Sequence, residues 1–472
     1  MAALQPGSAT GPAKLKAVQE LVDKLSLDLE GVSLDESARI AALDELKIYG
    51  RDPRQADAIF SEHGLTVLLR HAFEKSSKNS AHGAMRVLAN AMLLDKKARQ
   101  MFVDKLYAPA ACAKLQEDTT WDGEFLLSRI LFLTTYDTSI DLSDLLDNHD
   151  LARGITNNLN RHAKLLETGS KSQASQMEEM ALVETAKLLF NVTHFSSKHV
   201  SSFTAAIPDL VALLWKHDLP ASRPLDSALS HLTNGLLNLD FSAEEAQVAL
   251  FQGPDLVRVP GRLIDILDRA MKSYDDDERD ITITPLIGLL IKIYEVAPRP
   301  VRTEMEKALL PKAEDREDVL GRGSSLPARL LKGSTSPSAP KLANSISHLL
   351  FDLSGRDAAL FVQNVGYGYA SGFLFQKNIP IPESALQNGE PSNATGGERP
   401  VNPITGQFID SENFAEAPEM TQEEKEREAE RLFVLFERLK KNGIINVQNP
   451  VEQAVQEGRF EELSDSEDES KK

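Results

Sequence analysis

The sequence has little of several residue types that common functional sites require. It contains one cysteine, Cys112, among 472 residues, so an intramolecular disulfide and a cysteine-ligated zinc or iron–sulfur site are excluded. A single cysteine is typical of a reducing compartment. Aromatic residues make up only 6% of the chain, which is low for a β-sandwich because strands favour aromatic side chains.

Long hydrophobic runs and positive charge are also scarce. No stretch reaches the ~18 consecutive apolar residues of a membrane-spanning helix, and residues 1–12 lack the basic and apolar regions of a secretory signal. Acidic residues outnumber basic ones 71 to 52, which gives a formal net charge of −19. That charge repels the phosphates of nucleic acids and anionic membranes. We therefore expect a cytoplasmic protein without a nucleic-acid partner and without membrane insertion.

Motifs for catalysis, metal binding and nucleotide binding are missing from the sequence. The ten histidines are scattered without an HExxH pair, and neither GxSxG nor GxxxxGK[ST] occurs. The glycine run at 366–372 does not have the GxGxxG spacing, so we interpret it as a tight turn between two helices. We expect no catalytic residue, no metal site and no cofactor, and therefore a protein that acts by binding.

Helical periodicity extends along most of the chain up to residue 379. Apolar residues recur at i, i+3, i+4 and i+7, whereas the alternation of a β-strand is almost absent. Proline and glycine separate the periodic segments. The pattern predicts an all-α fold. The periodic segments are 41–48, 65–73, 84–94, 125–133, 182–192, 225–239, 263–271, 285–296 and 342–353.

Several of these helical segments share a leucine two residues before an asparagine or aspartate. Asn191 and Asn234 are 43 residues apart, which is within the ~40–47 residues of an armadillo or HEAT unit. The spacing predicts an armadillo/HEAT-type superhelix over residues 13–379, with one continuous core and a concave groove. In this interpretation Asn90, Asn191 and Asn234 line the groove and bind the backbone of a guest. The alternative is that they are ordinary polar positions on amphipathic helices.

The composition changes after residue 379. Residues 380–419 are rich in proline, glycine, asparagine and serine, which is typical of a linker. Residues 420–445 then begin with a capping-box pattern and continue as one further amphipathic helix. This helix either folds back on the repeats or binds a partner. Its apolar stripe includes Leu432, Phe433 and Phe436.

Both ends of the chain are predicted to be disordered. Residues 1–12 are rich in small residues, and residues 446–472 end in an acidic stretch. Ser464 and Ser466 each precede an acid by three residues, the pattern that casein-kinase-type enzymes phosphorylate. The alternative for this C-terminal segment is a tail that only increases solubility.

Three motifs in a fixed order make the sequence resemble the synembryn family, the resistance-to-inhibitors-of-cholinesterase proteins. These motifs are GYGYA at 366–370, NPITGQ at 402–407 and MTQEEKEREAERLFVLFERLKKNGII at 420–445. The segment AKLLFNVTHFSSK at 186–198 adds to the resemblance, as does LDSALSHLTNGLLNLD at 225–240. A generic armadillo protein would share the helical periodicity but not these motifs.

The resemblance implies a partner of the α subunits of heterotrimeric G proteins (Gα). It implies an armadillo/HEAT superhelix that acts as a folding chaperone for nascent Gα and as a non-receptor guanine nucleotide exchange factor. Such a protein binds GDP-bound or nascent Gα, stabilises the nucleotide-free state and releases Gα when GTP binds. We expect a monomeric regulator that is not an enzyme and is recruited to the plasma membrane through Gα. The alternative is an armadillo adaptor that binds linear peptides without exchange activity.

The resemblance also implies which residues contact Gα. In the family, the concave groove holds the C-terminal helix of Gα, and a helix beyond the repeats makes a second contact. The second contact would here involve Leu432, Phe433 and Phe436. The groove candidates are Arg86, Asn90, Arg129, Lys187, Asn191, His194, His231 and Asn234.

The sequence departs from the family in one respect. Animal members carry an acidic, phosphorylatable segment before the NPITG motif, but residues 387–400 contain only two acids. We therefore expect phosphorylation at Ser464 and Ser466 instead.

Overall fold

The computed structural model describes most of the chain, and helices are its main secondary structure in the described ranges. These ranges are 7–32, 34–74, 77–167, 176–252, 255–381, 399–402 and 404–412. Within them the only β pairing is one isolated bridge between Val401 and Phe408, which confirms the predicted all-α class. No helix in these ranges has the length and apolar content needed to cross a membrane. The chain divides into two units, residues 1–410 and residues 411–472. Of the second unit, the structure describes only Ser411 and Glu412.

Twenty-two α-helices follow one another in the described residues. They are α1 (Gly11–Leu29), α2 (Glu36–Tyr49), α3 (Asp57–Phe60), α4 (Glu62–Phe73), α5 (Lys78–Leu94), α6 (Lys96–Asp104), α7 (Ala108–Glu117), α8 (Trp121–Thr134), α9 (Leu142–Asn148), α10 (Leu151–Glu167), α11 (Gln176–Phe195), α12 (Ile207–Lys216), α13 (Ala228–Leu237), α14 (Glu244–Phe251), α15 (Arg258–Ser273), α16 (Asp276–Thr282), α17 (Thr284–Val296), α18 (Arg299–Leu309), α19 (Leu326–Ser334), α20 (Pro340–Leu353), α21 (Ala358–Val365) and α22 (Tyr367–Gln376).

Side-chain caps define where many of these helices begin. The Asp35 carboxylate accepts the amide hydrogen of Ala38 at 2.7 Å before α2, and Asp357 accepts that of Leu360 at 2.8 Å before α21. Serine and threonine caps precede α4, α8 and α19 in the same way. Each cap pairs an amide hydrogen that has no partner within its own helix. The first residues of these capped helices therefore follow from local sequence.

Seven helices form a continuous row in which each packs against the next. The row runs α2, α5, α8, α11, α13, α17 and α20, and its members are consecutive neighbours in space. Most row helices also pack against a helix that precedes them in the chain, such as α4 against α5, α7 against α8 and α12 against α13. The described part of the first unit is thus a stack of helix pairs.

The core is one continuous apolar cluster along this stack. The leucines of the repeated sequence pattern all belong to it and are at most 1% exposed: Leu88, Leu189, Leu232 and Leu350. A single helix pair cannot bury its apolar face alone, so each pair is covered by its neighbours. This arrangement explains why the same leucine position recurs in helices far apart in the sequence.

Polar side chains connect the end of one row helix to the next helix of the row. The ammonium group of Lys292 on α17 donates to the carbonyl oxygens of Leu237 at 2.8 Å and Leu239 at 2.6 Å, where α13 ends. The Asn191 amide on α11 donates to Thr135 Oγ1 at 2.7 Å, just after α8. A donor at a helix C-terminus pairs groups that the helix leaves unpaired, and a cation there also interacts favourably with the helix dipole.

Candidate functional site

A cleft of about 650 Å³ opens on the row of helices and is lined by α2, α5, α8, α11 and α13. Its lining includes Phe125 of α8, Met180 and Val183 of α11, and Ala228 of α13. Residues from five helices that are distant in sequence therefore meet in one concave surface. We call this surface the cleft.

Five of the eight groove candidates from the sequence line the cleft. They are Arg86, Asn90, Arg129, Lys187 and His231. Four of these five lie on α5, α8 and α11, and His231 lies on α13. Whether these five residues bind a partner stays a prediction from the family resemblance.

The other three candidates lie elsewhere. Asn191 is buried and donates to Thr135, while His194 is exposed at the end of α11 with its ring 6.0 Å from that of Phe190. Asn234 lines a separate groove of about 200 Å³. Helical periodicity predicts the face of a residue but not where along the helix the neighbours leave an opening.

The cleft carries positive charge in a strongly acidic protein. Five cationic side chains line it against three carboxylates, whereas the whole chain has a net charge of −19. This local excess of positive charge attracts a carboxylate-bearing partner. The cations are Lys47, Arg51, Arg86, Arg129 and Lys187, and the acids are Glu179, Glu184 and Asp226.

Ion pairs hold four of these cations in position, among them Lys47, whose Nζ lies 2.8 Å from Asp44 Oδ1. Arg129 Nη1 and Lys187 Nζ each lie 3.0 Å from the same oxygen, Oε1 of Glu184, whose side chain is 4% exposed. Arg86 pairs with Asp122 at 2.5 Å. In contrast, the side chain of Arg51 is exposed and has no hydrogen-bonding partner among the described residues. Arg51 can therefore bind an incoming carboxylate without breaking an existing ion pair.

His231 contributes a neutral polar group to the cleft. Burial, followed by the positive charge of Lys187, lowers the pKa of the His231 imidazole to about 4. The ring is therefore uncharged at neutral pH and offers one nitrogen as a donor and the other as an acceptor. It can bind a polar backbone or side-chain group without adding charge.

An apolar wall completes the cleft. Phe125, Met180 and Val183 line it, and the guanidinium of Arg129 lies 5.8 Å from the centre of the Phe125 ring. An apolar wall beside a cluster of cations suits an amphipathic helix that ends in a carboxylate or carries acidic side chains. The sequence reasoning missed Lys47, Arg51 and the apolar wall because no local motif distinguishes these residues from ordinary helix positions.

A buried charged network lies beside the cleft, between α8, α10 and α11. Glu124 has no exposed surface, and its carboxylate accepts hydrogen bonds from His162 Nε2 at 2.9 Å, from Thr185 Oγ1 at 2.7 Å and from Arg161. The other ring nitrogen of His162 lies 3.2 Å from Glu178 Oε1. Burial alone lowers the pKa of His162, but the bonds to Glu124 and Glu178 outweigh burial, so the pKa is raised.

A second histidine is held between two carboxylates next to Arg86. His82 Nε2 is 2.6 Å from Asp118 and Nδ1 is 2.9 Å from Asp122, which also pairs with Arg86. Burial lowers the pKa of His82, but hydrogen bonds to Asp122 and Asp118 outweigh burial and raise it. His82 therefore contacts the same Asp122 carboxylate that pairs with the cleft cation Arg86.

Because the pKa values of His82 and His162 are raised in the folded state, we expect the stability to depend on pH. Their folded pKa values lie above the ordinary value of 6.5, so the folded state binds more protons than the unfolded state above that pH. Their contribution to the free energy of unfolding is complete below pH 6.5 and is lost as the pH rises through the folded pKa values. The pKa of His231 is lowered to about 4, so His231 changes the free energy of unfolding only below about pH 6.5. Urea unfolding between pH 6 and 9 measures the effect.

The His82→Gln variant is expected to show a smaller loss of stability over the same pH range. The matched control is His63→Gln, because His63 is exposed on α4 and its replacement should leave the pH dependence unchanged. A wild-type protein whose stability is constant or rises from pH 6.5 to 9 would contradict this assignment of the two buried histidines.

Comparisons with known proteins identify similar chains. A family model described as the guanine nucleotide exchange factor synembryn matches residues 42–459. A synembryn-like chaperone of Schizosaccharomyces pombe is 29% identical over 306 residues, which cover 61% of this chain and 57% of that protein. The chaperone Ric-8A of Gallus gallus is 23% identical over 455 residues, covering 87% of this chain and 83% of that protein.

The alignment therefore spans less than two thirds of the yeast relative but most of the avian one. Ric-8A of Xenopus tropicalis is 24% identical and covers 96% of this chain and 89% of its own length. A crystal structure of an engineered protein aligns with 79% of this chain and 95% of its own at 18% identity, with a TM-score of 0.32. That score is too low to assign the fold type.

Proposed function

Because this chain belongs to the synembryn family of guanine nucleotide exchange factors, we propose that it is a chaperone and non-receptor exchange factor for Gα subunits. It binds GDP-bound or nascent Gα, stabilises the nucleotide-free state and releases Gα when GTP binds. The stack of helix pairs is interpreted as an armadillo/HEAT-type superhelix. The protein acts as a monomer in the cytoplasm and reaches the plasma membrane through Gα.

The positively charged cleft is the observation that supports this function. A Gα C-terminal helix would place its apolar side against Phe125, Met180 and Val183. Its terminal carboxylate and acidic side chains would bind Arg51 and the neighbouring cations of the cleft. A hydrogen bond to a charged group contributes about 1.5–3 kcal/mol, so two or three such bonds and the apolar contact suffice for a specific peptide site.

Exchange requires no chemistry from the protein itself. A partner that binds empty Gα more tightly than GDP-bound Gα must weaken GDP binding by the same factor, because the two equilibria are linked. A coupling free energy of about 3 kcal/mol changes the affinity about 150-fold. The chaperone role follows from the same preference, since a partner that binds only the folded form shifts the folding equilibrium toward it.

The proposed second contact and the phosphorylation sites lie outside the described residues. The helix at 420–445, with Leu432, Phe433 and Phe436, is proposed to contact the GTPase core of Gα, while Ser464 and Ser466 remain the proposed phosphorylation sites. The amphipathic stripe and the family motif in the sequence support the contact. The description ends at Glu412, before both features.

A nucleotide-release assay tests the proposal. Purified Gα loaded with labelled GDP is mixed with the chain, and the release rate is compared with that of Gα alone. We expect faster release, a stable complex with nucleotide-free Gα, and dissociation of this complex on addition of GTP. If release is unchanged and empty Gα is not retained, the alternative of an adaptor that only binds linear peptides is correct.

Deletion of residues 411–472 separates the two proposed contacts. We expect the deletion to reduce GDP release several-fold and to leave the affinity for a Gα C-terminal peptide nearly unchanged, because the cleft lies within residues 47–231. The matched control is deletion of 446–472 alone, which retains the predicted helix and should retain most of the exchange activity. Equal losses of exchange and peptide binding would contradict the two-contact arrangement.

A further inference from the structure

The GYG motif forms a turn against which another part of the chain packs closely. α21 ends at Val365, and Gly366 follows with φ of +83° before α22 begins. A Cβ atom on Gly366 would lie 3.1 Å from the carbonyl oxygen of Ile404 and 3.2 Å from the amide nitrogen of Gly406. Glycine is therefore required here both for the backbone conformation and for the approach of the NPITG motif.

Residues 399–402 and 404–410 form the two arms of a hairpin that covers this turn, although they lie within the predicted linker. The amide of Asn402 donates to Gln407 O at 2.8 Å, and the amide of Gly406 donates to Asn402 O at 2.8 Å. The Gly368 amide donates to Ile404 O at 3.2 Å, which joins the hairpin tip to α22. The GYGYA and NPITGQ motifs therefore contact each other in the folded protein.

Arg316 holds the hairpin to the last helices. Its guanidinium donates to the carbonyl oxygens of Gly406 at 2.8 Å, Asn364 at 2.9 Å and Gln363 at 3.1 Å. Gln363 and Asn364 are near the C-terminal end of α21, where the helix dipole favours a cation. The backbone of Arg316 also accepts the amide hydrogen of Phe408 at 2.9 Å. One side chain therefore binds the hairpin and the helix end together.

Arg399 and two buried side chains complete the attachment. Arg399 donates to Asp410 at 2.7 and 2.9 Å and pairs with Glu317, and its guanidinium lies 4.1 Å from the centre of the Phe408 ring. Phe408 is 8% exposed and Gln407 is 6% exposed. A segment with buried side chains and this many hydrogen bonds to the helices is part of the folded unit.

We propose that the hairpin formed by residues 399–402 and 404–410 is an anchor that sets how efficiently the C-terminal segment reaches Gα. This inference rests on the proposed function. With the anchor in place, the predicted helix at 421 follows the last described residue, 412, by nine residues, whereas without the anchor it follows residue 381 by 40 residues. The effective concentration of a tethered group falls as about the −3/2 power of tether length. Loss of the anchor therefore lowers it about ninefold.

Two variants open the hairpin in independent ways. Gly406→Val places a Cβ atom 2.3 Å from Leu320 Cδ1 at a residue with φ of +71°, and Phe408→Ala removes the buried ring. The matched control is Gly372→Ala on α22, where an added Cβ meets no atom within 4 Å. Hydrogen exchange at the amides of 406 and 408 reports opening without reference to activity.

We expect faster hydrogen exchange in both hairpin variants, an affinity for the Gα C-terminal peptide within twofold of wild type, and GDP release about ninefold slower at subsaturating protein concentration. Gly372→Ala should behave as wild type in all three measurements. Wild-type release rates in a variant with an open hairpin would overturn the anchor, as would unchanged amide exchange in both variants. A wild-type protein that releases no GDP would instead overturn the proposed function.

Discussion

Replacement of Glu124 by alanine is expected to lower the free energy of unfolding by about 3–5 kcal/mol. The Glu124 carboxylate has no exposed surface and accepts hydrogen bonds from His162, Thr185 and Arg161. Without it, the buried ring of His162 keeps only Glu178 as a partner, and the Arg161 guanidinium loses its carboxylate. An uncompensated buried charge costs more than a pair contributes, so the loss of one partner has a large effect.

The experiment on Glu124 needs a local as well as a global measurement. A stack of helix pairs can unfold in more than one step, so amide hydrogen exchange of α8 and α11 is followed together with the urea midpoint. The control is Glu117→Ala, because Glu117 is exposed on α7 and its removal should change stability by less than about 0.5 kcal/mol. Glu124→Gln keeps the side-chain volume and tests the charge alone. Equal effects of Glu124→Ala and Glu117→Ala would show that the network does not stabilise the fold.

Charge reversal in the cleft is expected to weaken binding of the Gα C-terminal helix about 10- to 150-fold for each of Arg51→Glu and Lys187→Glu. This range corresponds to the loss of one charged hydrogen bond of about 1.5–3 kcal/mol. Arg51 has no partner among the described residues, so its reversal should leave stability unchanged. Lys187→Glu brings a carboxylate next to Glu184 and should reduce stability as well as affinity.

Calorimetry with a Gα C-terminal peptide and with nucleotide-free Gα measures this effect. The matched control is Lys198→Glu, which makes the same change in net charge at an exposed position outside the cleft. Any loss of affinity in Lys198→Glu measures the long-range repulsion between the added negative charge and an acidic partner. Salt screens this repulsion, so the loss should disappear at high salt. Unchanged affinity in both Arg51→Glu and Lys187→Glu would remove these residues from the binding site.

The core and the fold class could be read from the sequence because helical periodicity is a local property. Leu88, Leu189, Leu232 and Leu350 were grouped by their position within similar segments, and all four are buried in one cluster. Their burial follows from the amphipathic pattern of each helix, whichever neighbour covers it. The family resemblance was likewise carried by short motifs, and the family model confirms it.

The cleft could be predicted only in part. Arg86 and Lys187 line it, as expected, but Asn191 donates to Thr135, which is 56 residues away in the sequence. The cleft is lined by residues of five helices that are distant in the sequence, and no residue pattern within one helix encodes which polar residues of the other helices meet it. The network around His162 could not be predicted from the sequence either, since it joins Glu124 of α8 and His162 of α10 to Glu178 and Thr185 of α11.

The sequence by itself determined the all-α class, the leucine core, the absence of recognisable catalytic motifs and the family. Only the tertiary structure decided which polar side chains meet in the cleft, that neighbouring carboxylates raise the pKa values of His82 and His162, and that the NPITG hairpin packs against the GYG turn. The physical reason is the range of the interactions. Burial and helix capping depend on neighbours a few residues apart, whereas ion pairs and clefts depend on the packing of segments that are tens of residues apart.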